Sequence, residues 1–249
     1  MRGTIESAMQ LAPAPDDASA YSGLSHRLST WLNEQDFTSL FTATELDVLS
    51  KPAGGWSSAD HEAQGARVEG LGTLLWATGV HEKLPPLNQP FAVPDLEPLI
   101  GWPLSALFNP NSPALKSFPQ NTAAFLLGAT QLRLTAVIKG ERSSIDCWYW
   151  RTQVAALQRA KAPSPNGQPY ELMIAIAAEE AHTASAIPKP VRNDFALAGR
   201  PFCALAESEQ IKIARIVEAR RIALHWVSGY ATEWDAVPIR STHLEPVAA

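Results

Sequence analysis

The sequence predicts an all-α or predominantly α protein: a single globular multi-helix domain with a proline-rich segment that wraps around it. Two observations indicate this fold class. Apolar residues recur at helical spacing in several long stretches. Nine of the 20 prolines fall between residues 84 and 119, where they disfavour strands because proline lacks a backbone donor. We expect residues 1–20, rich in Ala, Pro, Asp and Ser, to form a loose lead-in, and residues 21–249 to form the domain.

In the predicted fold, the other helices are arranged around the stretch over residues 211–235. At about 100° per residue, apolar side chains surround most of this helix: Ile213, Ile216, Val217, Ala219, Ile222, Ala223, Leu224, Trp226 and Val227. A helix that is apolar on almost every side is normally buried among others. We expect it to pack against the other long apolar helix, over residues 60–80, with charged side chains trapped between the two.

Two polar features interrupt that apolar surface. Glu218, Arg221 and His225 form one stripe, because they are spaced i, i+3 and i+7. We interpret the stripe as a solvated or salt-bridged seam. Arg220 points towards the interior, where an unpaired charge is costly, so it needs a carboxylate or carbonyl groups. We interpret it as a member of a buried ion pair, with anion binding as the alternative.

The first third of the chain predicts three helices. Leu24–Leu40 carries apolar residues at helical spacing, and a short helix follows, capped by Thr44 with Asp47 and ended at Pro52. The third covers residues 60–80, and Gly79 and the later Pro85 and Pro86 mark its end.

Within this third helix, Arg67 and Glu69 lie on nearly opposite sides, so each requires a partner from another helix. Gly70 and Gly72 weaken the helix by roughly 1 kcal/mol each relative to Ala. Their presence predicts that another backbone approaches closely there.

In the proline-rich segment we expect short helical turns at residues 95–100 and 103–108. This segment wraps the core or forms a lid. The pattern after it predicts a helix over residues 121–139, capped by Asn121 or Thr122 and ended by Gly140. A second helix starts at Ser143 or Ser144, and a third covers residues 170–182. An irregular connection then leads to Ser208.

The second of these helices carries Trp148, Tyr149 and Trp150 in a row, which cannot all face one way. We interpret them as core residues, with a ligand box as the alternative. Arg151 follows them and can stack on an aromatic face.

Composition excludes several classes of function. The net charge is −5 and no Lys/Arg stripe is present, which argues against a nucleic-acid partner. No apolar run reaches the roughly 18 residues of a membrane span, and residues 1–17 lack the apolar core of a secretion signal. Cys147 and Cys203 have no metal-type spacing and suit a reducing compartment. We therefore expect a soluble, cytoplasmic protein.

The usual catalytic motifs are missing from the sequence. It has no Gly-rich phosphate loop, no His-Glu-x-x-His, no Gly-x-Ser-x-Gly and no Cys-x-x-Cys. The six histidines are scattered, and neither cysteine has a base nearby in sequence. The sequence therefore names no catalytic residue, and we expect no cofactor and no metal site.

Three blocks carry a family resemblance. Residues 67–85 (RVEGLGTLLWATGVHEKLP) are similar to a Trp-Arg-x-Glu helix that leads into Leu-Leu-Trp-Ala-Leu-Gly. Residues 194–205 (DFALAGRPFCAL) match an Asp-Phe…Gly-Lys-x-Tyr connection, and residues 219–238 (ARRIALHWVSGYATEWDAVP) match Glu-Arg-x-x-Ala-Leu-Asn-Trp-Leu…Trp-Asp. With a weaker match at YWRTQVAAL, the chain from about Thr44 onward resembles the domain of unknown function 4272 family, which is mainly bacterial. The resemblance implies a helical fold and supplies no reaction.

Motif positions of that family fall on Arg67, Glu69, Trp76, Arg220, Trp226, Trp234 and Asp235. Three departures stand out. Ala219 stands where the family has Glu, and His225 stands where it has Asn. Residues 239–241 read Ile-Arg-Ser where the resemblance leads one to expect Thr-Asp-Thr. Chemistry that needs that Glu or that Asp is therefore not expected here.

Two functional hypotheses follow. The first is a structural, interaction or accessory module. It predicts that Arg67, Glu69, Arg220 and Asp235 are buried and paired across helices, with no roomy pocket beside them. The second is an enzyme or binder of a small polar or anionic molecule, in which arginines hold the ligand and Glu69, Asp235 or His225 acts as acid or base. The candidate binding residues are Arg67, Glu69, Trp76, Arg151, Arg220, His225, Trp226 and Asp235. The partner, a protein or a small polar ligand, and the oligomeric state stay open.

Overall fold

A computed structural model describes residues 30, 33–34, 39, 41–52, 54–100, 131–232 and 234–237. The protein is predominantly α-helical, as predicted. The described helices are α1 (Ala43–Ser50), α2 (Ser58–Ala77), α3 (Val93–Ile100), α4 (Thr135–Arg159), α5 (Tyr170–Thr183) and α6 (Glu207–Val227). Two short antiparallel strands, β1 (Ala196–Leu197) and β2 (Arg200–Pro201), and 3-10 turns at Pro165–Gly167, Phe202–Ala204 and Trp234–Ala236 complete the described elements.

The chain divides into two compact units. The described residues up to Val68 and from Ala92 to Ile100 belong to the first unit, and residues 69–91 and 131 onward belong to the second. The single domain over residues 21–249 stays a prediction. The lead-in, the turn at residues 103–108, residues 121–130 and most of the helix predicted over residues 24–40 lie outside the described residues.

In the first unit, α1 begins with a capping box. The Glu45 amide donates to the Thr42 hydroxyl at 3.3 Å, and the Thr42 amide donates to the Glu45 carboxylate at 2.8 Å. The predicted cap at Thr44 with Asp47 is therefore wrong. The sequence holds the stronger Thr-x-x-Glu pattern two residues earlier, and it satisfies two otherwise unpaired amides at once.

The end of α2 is closed by glycine and by an arginine from outside the helix. Gly79 has φ of +77°, and its amide donates to the Trp76 carbonyl at 2.9 Å. The Arg133 guanidinium donates to the carbonyls of Trp76, His81 and Glu82 at 2.6–2.9 Å. Arg133 thus satisfies carbonyls at the end of α2, where a positive charge also complements the helix dipole.

Helix α4 runs without a break through Gly140, so the predicted end there is wrong. The reason lies in the buried stripe of α4, where Ile138, Ile145 and Trp148 share one face on both sides of the glycine. Gly in a helix costs only about 1 kcal/mol relative to Ala, which burial of three large apolar side chains exceeds.

The second unit is built around α4 and α6, which pack side by side more extensively than any other pair of described elements. They run antiparallel, because Asp146 in the middle of α4 pairs with Arg221 late in α6, while Arg159 at the end of α4 bonds Gln210 near the start of α6. The core of this unit includes all three members of the Trp148–Trp150 row. The core-residue interpretation of this row is thus confirmed.

The expected contact between α6 and α2, with charged side chains trapped between them, is confirmed at one ion pair, although α6 packs more extensively against α4. Residues 69–77 of α2 reach α6 through the Glu69–Arg220 ion pair. We expected another backbone to lie close to Gly70 and Gly72, but the nearest groups at both glycines are aromatic rings. A Cβ atom on Gly70 would lie 3.0 Å from the Trp234 ring, and one on Gly72 would clash with the Phe91 ring.

Among the described helices, none is both long enough and apolar enough to cross a bilayer.

Candidate functional site

The best-defined polar centre is the buried ion pair of Glu69, from α2, and Arg220, from α6. The Arg220 side chain is 2% exposed and that of Glu69 5%. Nε and Nη2 of Arg220 donate to Oε1 of Glu69 at 2.9 and 2.7 Å. The prediction that Arg220 is a member of a buried ion pair is thus confirmed.

Backbone groups of the segment after α2 complete this centre. Arg220 donates to the carbonyls of Pro85 at 2.6 Å and Gln89 at 3.3 Å. The other carboxylate oxygen of Glu69 accepts the Phe91 amide at 2.8 Å, and the guanidinium carbon lies 5.4 Å from the Phe91 ring centre. The ion pair therefore joins two helices and the 85–91 segment in one hydrogen-bonded unit.

A second carboxyl group, Glu141 of α4, was missed by the sequence reasoning. It falls on the same helical stripe as Ile138 and Ile145, both buried. Burial raises the pKa of Glu141, and the nearby charge of Arg220 counteracts part of that rise. Burial likewise lowers the pKa of Arg220, against the opposing effect of Glu69 and Glu141.

A second buried ion pair links Arg151 of α4 to Asp194, which precedes β1. Nε and Nη2 of Arg151 donate to the two carboxylate oxygens at 2.6 and 2.9 Å, a bidentate geometry. The amides of Phe195 and Cys203 donate to the same carboxylate at 2.8 Å each. Burial raises the pKa of Asp194, but these bonds and the Arg151 charge outweigh it, so the pKa falls below its ordinary value.

The predicted stacking of Arg151 is confirmed, because its guanidinium lies 4.6 Å from the ring centre of Phe202. Nη1 of Arg151 is buried, and no hydrogen-bond partner for it lies among the described residues. The Asp194 partner was not recognised from sequence, because it lies 43 residues further along the chain.

The predicted polar stripe of α6 is a salt-bridged seam at two of its positions. Arg221 Nε and His225 Nε2 contact the same oxygen of Asp146, at 2.9 and 2.8 Å. The Arg221 guanidinium also lies over the Tyr149 ring at 4.6 Å, and the His225 ring contacts Tyr230 at 4.9 Å. Asp146 is thus a further group that sequence reasoning missed.

The other candidate residues occupy different surroundings. Arg67 belongs to the first unit, is half-buried and pairs with Glu45 at 2.6 Å. Trp76 is buried in the core of the second unit. Trp226 is 37% exposed and Asp235 is also exposed, so the expected burial of these two is wrong. Both follow the last buried turn of α6, where the chain leaves the core.

Comparisons with protein-family models, with curated proteins and with solved structures found no match for this chain. The resemblance to the domain of unknown function 4272 family stays a prediction.

The geometry limits what the described groups can do chemically. Arg151 and Arg220 each hold their own carboxylate, and His225 contacts a third. Burial, with Asp146 adding to it, raises the pKa of the Cys147 thiol to about 11, and the pKa of Cys203 is also raised, first by burial and then by Asp194. Neither thiol is therefore an activated nucleophile. In the described part of the chain, no cluster of three or more His, Cys, Asp or Glu side chains has metal-binding geometry.

Proposed function

We propose that this chain is a structural or interaction module, and that its buried ion pairs are internal clamps. One observation supports this proposal above all. Arg220 directs four hydrogen bonds to protein acceptors, two of them to Glu69, whose other oxygen accepts a backbone amide. A guanidinium that is 2% exposed and committed in this way has little capacity left for a ligand.

The clamps have a clear mechanical role in the second unit. Removing one partner of a buried pair leaves an uncompensated charge in the core, which is strongly destabilising. The folded state is therefore stable only when both partners stay in contact. The Glu69–Arg220 pair therefore holds α2, α6 and the 85–91 segment in one arrangement. The Arg151–Asp194 pair does the same for α4 and the loop that carries Asp194 and Cys203. Such a rigid helical body suits the presentation of a binding surface to a protein partner.

The alternative, an enzyme or binder of a polar or anionic ligand, needs these same charges to be open to that ligand. The contacts of Arg220 argue against this role. A cytoplasmic location is also part of our proposal, and the two free cysteines, Cys147 and Cys203, support a reducing compartment.

The test combines stability with ligand screening on the full chain. We expect Arg220→Ala to lower the melting temperature strongly without any ligand present. A thermal-shift screen of metabolites and metal ions on the native protein should give no compound whose stabilising effect disappears in Arg220→Lys. An Arg220→Ala variant with unchanged melting temperature, together with loss of a specific ligand, would overturn the proposal.

A further inference from the structure

The C-terminal end of α6 carries aromatic and cationic side chains that the buried clamps do not use. We name this surface the α6-end patch. It consists of Arg142 from α4 with Trp226, Tyr230 and Trp234, and the buried ring of His225 supports Tyr230. Tyr230 is 57% exposed and Trp226 37%. Large aromatic side chains are usually withdrawn from solvent, so the exposure of these two at one end of a helix needs an explanation.

A Schellman motif fixes one half of the patch. Gly229 has φ of +79°, its amide donates to the Trp226 carbonyl at 2.9 Å, and the Tyr230 amide donates to the His225 carbonyl at 3.1 Å. This turn places the Tyr230 ring on the His225 ring, 4.9 Å between centres. The Arg142 guanidinium from α4 then lies over the Tyr230 ring at 4.6 Å.

The other half is held by ring contacts and one weak hydrogen bond. Trp226 meets Trp234 edge to face at 5.7 Å, and the Trp226 indole donates to the Thr232 carbonyl at 3.4 Å. Trp234 in turn lies against Gly70, where a side chain would collide with its ring. The aromatic side chains of the patch are therefore held in place before any partner arrives.

The charged side chains are distributed unevenly around the patch. Arg151, Arg220 and Arg221 each have a carboxylate partner, whereas the contact that Arg142 makes within the described residues is the ring of Tyr230. Asp146, one helical turn further along α4 than Arg142, already contacts Arg221 and His225. Lys139 is exposed and lies on the same stripe of α4 as Arg142. One edge of the patch is thus cationic, while the exposed Asp235 follows Trp234 at the other edge.

We propose that the α6-end patch binds a protein segment that carries a carboxylate beside an apolar side chain. The carboxylate meets Arg142, and the apolar side chain packs on the exposed Tyr230 ring that Arg142 contacts. Trp, Tyr and Arg are the residue types that dominate binding energy at protein interfaces, and side chains already held in place lose less entropy on binding. This inference rests on the proposed function, because it names the partner chemistry of the module.

A free small anion fits the patch less well than such a segment. Arg142 lies beside the C-terminal end of α6, whose dipole is negative and weakens the attraction of a mobile anion. A segment offsets that loss because it also covers exposed aromatic surface, which favours association by about 25 cal/mol per Å² of apolar area removed from water.

The experiment is a selection of peptides from a random display library on the full-length chain, followed by binding measurements with the selected peptides by fluorescence anisotropy. We expect selected peptides to contain Asp or Glu next to an apolar residue. Arg142→Glu and Tyr230→Ala should each weaken binding at least about tenfold. Arg200→Gln, at an exposed arginine outside the patch, is the matched control and should bind normally.

A charge swap separates binding from misfolding. Arg142→Glu should bind the peptide in which Lys replaces the acidic residue better than it binds the original. Selection of peptides without acidic residues, no selection at all, or equal affinity for Arg142→Glu and the native chain would overturn the inference. Displacement of the peptide by millimolar phosphate would instead identify a small-oxyanion site, and self-association abolished by Arg142→Glu would identify a second copy of the chain. Both of these would also overturn the inference, while leaving the stability test of the clamps untouched.

Discussion

Replacing Arg220 by Ala is the most informative single change in this protein. The substitution removes four hydrogen bonds and leaves the buried Glu69 carboxylate with the Phe91 amide as its hydrogen-bond donor among the described residues. It also frees the carbonyls of Pro85 and Gln89. The loss therefore falls on α2, α6 and the 85–91 segment together.

The size of the effect follows from the burial of both partners. With side chains 2% and 5% exposed, the pair belongs to the buried class, for which removal of one partner costs about 3–5 kcal/mol. In a chain of this size each kcal/mol shifts the melting temperature by about 2–4 °C. We therefore expect a fall of about 6–20 °C.

Thermal unfolding followed by circular dichroism measures this change. Arg200→Ala is the matched control, because its ion pair with Glu209 is exposed on both sides, 54% and 46%, and should contribute little. A melting temperature for Arg220→Ala that falls no further than that of the control would refute the reasoning.

Three further predictions concern side chains elsewhere in the fold. Gly72→Ala should destabilise the protein, because its new methyl group collides with the Phe91 ring. Gly140→Ala meets open space and should stabilise α4 by up to about 1 kcal/mol. Urea unfolding of both variants and the native chain measures the two effects. Because burial raises the pKa of Glu141 in the folded state, its ionisation removes stability as pH rises through that pKa. Glu141→Gln should therefore be more stable than the native chain at neutral pH and lose that advantage below about pH 4, and identical pH profiles would contradict the assignment. In the native protein at pH 8, a thiol reagent should modify the exposed Cys203 before the half-buried Cys147, whose pKa is about 11, and equal rates would show that Cys147 is accessible.

Helical periodicity was enough to predict which charges enter the core. The position of Arg220 among apolar neighbours on α6 predicted a buried ion pair, and the opposite placement of Arg67 and Glu69 predicted separate partners for them. Both predictions are confirmed. These are local properties, since the direction of a side chain on a helix depends only on its spacing from its neighbours.

The partners themselves depend on long-range packing. Asp194 lies 43 residues from Arg151, and Asp146 lies 79 residues from His225, so no spacing rule connects them. The continuity of α4 through Gly140 was missed for the same reason, because burial of Trp148 and its neighbours overrides a local helix-ending signal. The cap at Thr42 and Glu45, by contrast, was present in the sequence as a Thr-x-x-Glu pattern and could have been found.

The double-mutant cycle of Glu69→Gln and Arg220→Met, measured by urea unfolding, tests most directly whether this pair is a closed internal clamp. Side chains in direct contact couple by about 0.5–3 kcal/mol, and burial places this pair in the upper part of that range. The clamp predicts a coupling free energy above about 1 kcal/mol, with the double variant less destabilised than the sum of the single variants. A coupling close to zero, with additive losses, would contradict it.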